Sequence, residues 1–142
     1  MKTKENKFFV EIGTSDFDTC LPLTKNGWKG LMVEPVAGLL NNLPKEEGVI
    51  YANCAVSDKT GETEVRYYDL DFTKDVKSLQ HWARGVGNIH PTANHFRINR
   101  QWEKYERTDK VSCYTLDDLL AKHKVEKMDF LKIDCEGMDY AI

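Results

Sequence analysis

Short apolar segments that alternate with a helical pattern place the strongest limit on what this chain can fold into. The length and apolar character of three of them are those of strands that are buried on both faces. These segments are Phe8–Ile12, Gly30–Pro35, which ends in the acid Glu34 and Pro35, and Val49–Ala52. Between the second and the third, one helix face is marked by apolar residues at i, i+3, i+4 and i+7, namely Val36, Leu39, Leu40 and Leu43. This order predicts a parallel sheet with helices on both sides.

The remaining regular segments extend this pattern. A short helix is expected after the turn at Gly13–Asp16 and before Asn26–Gly27. Another helix is expected to begin after Thr115, whose hydroxyl suits an N-cap and which Asp118 follows at capping-box spacing. A last apolar strand covers Met128–Asp134. We therefore expect a Rossmann-like, doubly wound α/β domain with the strand order 3-2-1-4, in which the last strand lies beside the first.

The stretch 62–114 interrupts this alternation of strands and helices. Residues 62–67 alternate between polar and apolar side chains, as a strand with one exposed face does, and Lys110–Tyr114 is typical of a further strand. Residues 70–108 have no clean period, and we interpret His90 and His95 in this stretch as surface histidines rather than metal ligands. We expect one domain over residues 1–142, with 62–114 as an antiparallel and irregular insertion that contains short helical pieces.

The composition excludes several classes of protein. With 142 residues, of which 41% are hydrophobic and 30% are charged, the chain has enough material for the core of one soluble domain. A net charge of −3 gives no support to binding of nucleic acid or of an anionic membrane. No apolar run approaches the roughly 18 residues that cross a bilayer, and we expect no signal peptide before the first strand, because polar residues lead directly into it. We expect a cytoplasmic protein, and the four widely spaced cysteines agree with buried, inert thiols in a reducing compartment.

Polar residues collect where the apolar strands end. They occupy the segments Glu11–Asp16, Glu34–Pro35, Asn53–Ala55 and Asp134–Gly137. Ligands of open α/β sheets bind beyond the carboxyl ends of the strands. Acids and amides in these positions therefore indicate a ligand that is rich in hydroxyl and amino groups.

Glu34 narrows the ligand to adenosine-containing cofactors. It follows Gly13 by 21 residues, where an acid can accept hydrogen bonds from both ribose hydroxyls of NAD or of S-adenosylmethionine. NAD needs a glycine-rich turn that admits its pyrophosphate, whereas this turn has one glycine and is flanked by the acids Glu11 and Asp16. Because these charges repel a pyrophosphate and attract ammonium and sulfonium groups, we favour S-adenosylmethionine.

Five motifs resemble those of the FkbM family of S-adenosylmethionine-dependent methyltransferases. They are FVEIGTSDF at 9–17, MVEP at 32–35, NCAVSDKTG at 53–61, TLDDLL at 115–120 and DFLKIDCEGMD at 129–139. The resemblance implies a class I methyltransferase-like fold and transfer of a methyl group to a hydroxyl of a sugar-like or secondary-metabolite acceptor. The family usually has a second glycine where this chain has Phe17, and its fold continues after the last motif, so we expect the C-terminal strands of that fold to be absent here.

The resemblance also implies roles for individual residues. The residues expected to bind the cofactor are Glu11, Gly13, Thr14, Ser15 and Asp16 at its methionine end, Glu34 and Pro35 at its ribose, and Cys54 and Ala55 at its adenine. Asp134 and Glu136 are expected to face the methyl-transfer region, where one of them or a histidine of the insertion acts as the general base. Lys132, expected to pair with Asp134, completes the candidate catalytic residues.

Two alternatives remain open from the sequence. The chain is a noncatalytic or truncated S-adenosylmethionine-binding module if the acceptor half of the fold is missing, and an NAD-dependent enzyme if the turn accepts a pyrophosphate. The last strand is expected to leave one edge without a neighbour, which proteins usually cover. We therefore expect either a homodimer that closes this edge or a sequence cut short of its natural end, and a small-molecule acceptor rather than nucleic acid or a membrane as the partner.

Overall fold

Four strands form a parallel sheet at the centre of the fold. They are β1 (Phe8–Ile12), β2 (Lys29–Val33), β3 (Val49–Ala52) and β7 (Phe130–Ile133), in the order β3-β2-β1-β7. The computed structural model describes residues 6–69, 71, 87, 89, 100–136 and 138–142. The strand order is the one that the sequence predicts, with β7 as the fourth strand of the sheet.

Both faces of the parallel sheet are covered, because its strands are apolar on both sides. One face packs against Leu119 of helix α2 (Leu116–Lys122) through Val10, Ile12, Leu31 and Val33. The other face carries Phe9 and Met32, which pack with Leu21 of a 3-10 helix (Leu21–Asn26) and with Leu40 of helix α1 (Ala37–Asn42). This is the doubly wound arrangement expected from the alternation of strands and helices.

The segment after β1 differs from the predicted helix. Residues 14–20 form turns, and only the 3-10 helix at Leu21–Asn26 follows. Ser15 has a left-handed φ of 53°, which suits the turn predicted at Gly13–Asp16. The backbone N–H of Cys20 donates to Glu11 Oε2 at 3.3 Å instead of to a helical carbonyl, and Gly27, with φ 82°, ends the short helix.

A second sheet, of order β4-β6-β5, is built from the chain that follows β3. Strand β6 (Glu106–Tyr114) pairs in parallel with β4 (Ala55–Val56) and antiparallel with β5 (Gly61–Tyr68). The antiparallel pairing agrees with the excursion predicted over 62–114. Of the short helical pieces predicted there, the structure describes a 3-10 helix at Arg100–Tyr105. The histidines at positions 90 and 95, and most of the predicted irregular stretch, lie outside the described residues.

The N-terminus of α2 confirms one predicted cap and corrects another. Thr115 Oγ1 accepts the backbone N–H of Asp118 at 3.2 Å, as an N-cap does. Asp118 does not close a capping box, because its carboxylate accepts the hydroxyl of Thr60 instead. The oxygen of that hydroxyl accepts the N–H of Thr115 at 3.0 Å. Thr60, in the turn between β4 and β5, thus joins the second sheet to the start of α2.

Candidate functional site

Backbone hydrogen bonds join the turns that follow β1, β2 and β7 at one edge of the parallel sheet. The N–H groups of Gly13 and Thr14 both donate to the carbonyl of Val33, at 2.9 and 3.2 Å, and that of Asp134 donates to Ile12 at 3.0 Å. The carboxyl ends of parallel strands meet at a common edge. These bonds bring together three of the polar segments that the sequence singled out.

Gly13 lies where the turns after β1 and β7 come closest. Its φ is 77°, and a Cβ atom at this position would be 2.1 Å from the carbonyl oxygen of Asp134 and 3.3 Å from Cys135 Sγ. A side chain fits neither this backbone conformation nor this space. The one glycine of the turn therefore seats the turn after β1 directly against the end of β7.

A cleft opens at this edge and extends to the second sheet. Its empty space is about 470 Å³, including the part that is open to solvent. Its lining includes the two carboxylic acids Glu34 and Asp134. The other lining residues are Ile12, Gly13, Val33, Pro35, Cys54, Ala55, Val56, Val65, Gly87, Ile89 and Cys135. The lining thus combines two acids with a largely apolar wall.

Glu34 is the buried acid of the cleft. Only 5% of the residue is exposed, and its two carboxylate oxygens accept the backbone N–H groups of Ser15, at 2.7 Å, and Val36, at 2.9 Å. Desolvation by burial raises the pKa of Glu34 from 4.5 to about 7, although the two N–H groups act in the opposite direction. The carboxyl is therefore only partly ionised near neutral pH, and hydrogen-bond donors on a ligand favour its ionised form.

Asn53 fixes the backbone that carries Glu34. Its Nδ2 atom donates to the carbonyl oxygens of Glu34 and Pro35, both at 2.9 Å. The N–H of Glu34 donates in turn to the carbonyl of Ala52 at the end of β3, at 3.1 Å. These bonds hold the turn after β2 against the end of β3. The sequence placed Asn53 at a strand end but did not indicate this supporting role.

The predicted site residues divide into two groups. Those that line the cleft are Gly13, Glu34, Pro35, Cys54, Ala55 and Asp134. Those outside the described lining are Glu11, Thr14, Ser15, Asp16, Lys132 and Glu136. Ser15 and Thr14 are buried in the turn, where the backbone of Ser15 holds Glu34 and Thr14 Oγ1 donates to the carbonyl of Phe17 at 3.1 Å. Glu136 lies in the turn after β7 with a left-handed φ of 47°.

Part of the apolar wall was not anticipated from the sequence. Three of its residues lie next to predicted site residues but were not themselves predicted to bind a ligand, namely Ile12, Val33 and Val56. Val65 and Ile89 come from the stretch predicted as an insertion. The alternating pattern gives Val65 an apolar face, but no signal in the sequence places that face against the ends of the parallel strands.

Glu11 and Lys132 form an ion pair next to the cleft, in which Glu11 is the buried partner. They are register partners on β1 and β7, with Lys132 Nζ 3.2 Å from Glu11 Oε1. Glu11 is fully buried, and its other oxygen accepts the N–H of Cys20. Lys132 Nζ is also 3.7 Å from Asp134 Oδ2. The expected pairing of Lys132 with Asp134 is present, but the closer partner of the ammonium is Glu11.

The two thiols of the cleft are poor nucleophiles. Burial raises the pKa of Cys54 to about 11 and that of Cys135 to about 12, so both stay protonated at neutral pH. Cys20, Cys54 and Cys113 are buried and unpaired, as predicted, whereas Cys135 is half-buried. Within the described ranges no group of three or more histidine, cysteine or acidic side chains is placed to hold a metal ion.

The family follows from a comparison with known proteins. A family model described as the methyltransferase FkbM domain matches residues 8–142. The chain belongs to the FkbM methyltransferase family. The match spans every strand from β1 to β7, and it confirms the resemblance carried by the five motifs. No curated protein and no solved structure matches the chain.

Family membership agrees with the architecture described above. In this chain the domain has an α/β fold in which a parallel sheet carries the cleft and a mixed sheet adds part of its apolar wall. Among the helices that the structure describes, none has the length and hydropathy needed to span a bilayer.

Proposed function

We propose that this FkbM domain binds S-adenosylmethionine in the cleft and transfers its methyl group to a hydroxyl of a small sugar-like or secondary-metabolite acceptor. The observation that carries the proposal is the buried Glu34 carboxylate, which lines the cleft together with Gly13 and Asp134. Family membership supports methyltransferase activity, and the residues that line the cleft support binding of S-adenosylmethionine.

The donors and acceptors of the lining fit an adenosine ligand. Each Glu34 oxygen accepts one backbone N–H and keeps a lone pair for a ribose hydroxyl. Cys54, Ala55 and Val56 offer apolar surface for an adenine ring.

The chain contributes alignment and proton acceptance to the proposed reaction. S-adenosylmethionine, when bound, supplies an electrophilic methyl group on a sulfonium sulfur. The residues around it hold the acceptor hydroxyl in line with that group and exclude water. The hydroxyl must also lose its proton. The carboxylate of Asp134 is our candidate acceptor of this proton, because the residue lines the cleft and its side chain is 64% exposed.

The turn after β1 disfavours an NAD-dependent enzyme. A pyrophosphate binds at the N-terminus of a helix that directly follows the glycine turn. Here residues 14–20 form turns and the 3-10 helix begins only at Leu21. A noncatalytic S-adenosylmethionine-binding module shares the cofactor half of our proposal and differs from it only in turnover.

Calorimetric titration with S-adenosylhomocysteine tests the cofactor half. We expect saturable binding to the purified chain and a roughly tenfold or larger loss of affinity in Glu34→Gln, because the amide replaces an acceptor by a donor. Glu47→Gln, which changes an exposed acid outside the lining, is the matched control and should bind normally. Absence of binding at millimolar ligand, or protection from melting by NAD alone, would contradict the proposal.

Turnover tests the acceptor half. The chain is incubated with S-adenosylmethionine and a panel of sugars and hydroxylated metabolites, and methylated products are detected by mass spectrometry. We expect O-methylated product from at least one member and less of it in Asp134→Asn. Binding of the cofactor without any product across the panel would favour the noncatalytic module.

Two further expectations remain proposals. We propose a cytoplasmic location, supported by four cysteines that are all free of disulfides. We also propose a homodimer that covers the outer edge of β7. In the described part of the chain this strand pairs only with β1, and Phe130 on it is 45% exposed.

A further inference from the structure

Three charged side chains form a line of ion pairs from the interior of the sheet to the cleft. Glu11 is fully buried, Lys132 has 29% of its side chain exposed and Asp134 has 64% exposed. The ammonium lies 3.2 Å from Glu11 Oε1 and 3.7 Å from Asp134 Oδ2. We refer to Glu11, Lys132 and Asp134 as the charge triad.

The burial of Glu11 decides how the charges of the triad are shared. A fully buried carboxylate needs its cation, because an unpaired charge is very costly in an apolar interior. Lys132 is therefore held at Glu11 and neutralises it, and Asp134 keeps its charge. Two carboxylates and one ammonium leave a net charge of −1, and the acid that presents this charge lines the cleft.

The backbone holds Asp134 in this position. Its N–H donates to the carbonyl of Ile12 at 3.0 Å, and its own carbonyl is packed against Gly13. In the described part of the chain, Lys132 is the group that contacts the Asp134 carboxylate. The charge at this side of the cleft is thus set by Lys132, and the position of Lys132 is set by Glu11.

We propose that the charge triad makes the cleft prefer the cationic methyl donor to its uncharged product, with Glu11 setting this preference through Lys132. The inference rests on the proposed function. In the transfer the sulfonium–methyl bond breaks, its electron pair stays on sulfur, and a bond forms from the methyl carbon to the acceptor oxygen, whose proton leaves. S-adenosylmethionine thereby becomes S-adenosylhomocysteine and loses one positive charge. The attraction of the triad is lost with it, which favours exchange of product for donor.

The distance between the two charges sets the expected magnitude. Asp134 lines the cleft, and we take a separation on the order of 10 Å between its carboxylate and a charge bound there. Between the dielectric of water and that of a protein surface, one unit charge at this distance changes an affinity by roughly two- to fifteenfold.

The test compares the affinities of the two ligands in matched variants by calorimetry at low salt. In Glu11→Gln, Lys132 is released to Asp134 and the net charge of the triad becomes zero, so the preference for S-adenosylmethionine over S-adenosylhomocysteine should fall by roughly two- to fifteenfold. The double variant Glu11→Gln/Lys132→Met leaves Asp134 with its charge, so the preference should return. Glu47→Gln should leave the preference unchanged.

The ratio of the two affinities distinguishes an effect of the charge of the triad from a structural effect of the substitutions. A structural role would weaken both ligands together and leave their ratio constant. A ratio that is unchanged in Glu11→Gln, or that stays low in the double variant, would overturn the inference while the proposed function stands. Absence of binding of either ligand to the unmodified chain would overturn both. Asp134→Asn, which changes an exposed side chain, should also lower the ratio and keeps the test decisive if Glu11→Gln melts at low temperature.

Discussion

Replacing Gly13 with alanine measures how tightly the turns after β1 and β7 are packed. The new Cβ atom would lie 2.1 Å from the carbonyl oxygen of Asp134, on a residue whose φ is 77°. The left-handed conformation alone costs about 1–2 kcal/mol for an L-residue, and relief of the overlap adds about 1–3 kcal/mol. We expect the free energy of unfolding, measured by urea titration, to fall by about 2–5 kcal/mol.

Gly27→Ala is the matched control for this measurement. Gly27 has a similar φ of 82°, but a Cβ atom there would meet nothing within 4 Å. Its substitution should therefore cost only the conformational part, about 1–2 kcal/mol. The difference between the two variants reports the close approach of the turn to β7. Equal destabilisation by both would refute the reasoning, because it would mean that the overlap at Gly13 is relieved at no cost.

Three other predictions concern Glu34, the cap of α2 and the edge of β7. Because the pKa of Glu34 is raised from 4.5 to about 7, its contribution to stability is fully present below pH 4.5 and lost as the pH rises through 7. Between pH 5 and pH 8 the unfolding free energy should thus fall by as much as about 3 kcal/mol more than in Glu34→Gln, and equal pH slopes would contradict this. Thr115→Ala should lower the unfolding free energy by about 0.5–2 kcal/mol through loss of the N-cap, whereas Thr19→Ala, at an exposed position outside the helices, should change it little in the same melts. Phe130→Glu should shift the proposed dimer towards monomer in sedimentation experiments, and the exposed Tyr140→Glu should not. A chain that sediments as a monomer without any substitution would remove the basis for this dimer.

The parts of the fold that local pattern determines could be predicted from the sequence. The apolar runs of β1, β2 and β3 and the hydroxyl of Thr115 act within a few residues of their own position. The turn at Gly13–Asp16 was predicted in this way, but the absence of an α-helix over residues 17–20 was not. The course of these residues depends on the bond from Cys20 to Glu11, and Glu11 is itself held by Lys132, far along the chain.

The candidate site shows the same division. Glu34 and Gly13 follow their strands directly, so strand ends alone indicated that they would meet. Glu11 also lies near the end of β1. Because side chains alternate between the two faces of a strand, Glu11 is on the face of the sheet that carries Phe9 and not on the face of the cleft. Val65 and Ile89 reach the cleft only because the second sheet packs against α1 through Val36 and Leu39, which is a tertiary contact without a local signal.

The lining of the cleft by both sheets has a consequence for how the molecule opens. Glu34 follows a strand of the parallel sheet, whereas Val65 belongs to β5 of the second sheet. A ligand held between them is in contact with both, so separation of the sheets would also break its contacts. Ligand binding should therefore slow amide hydrogen exchange in β5 and in its partner β6 as well as at the turns that hold the ligand. The two sheets would then open as one cooperative unit whenever the cleft is filled.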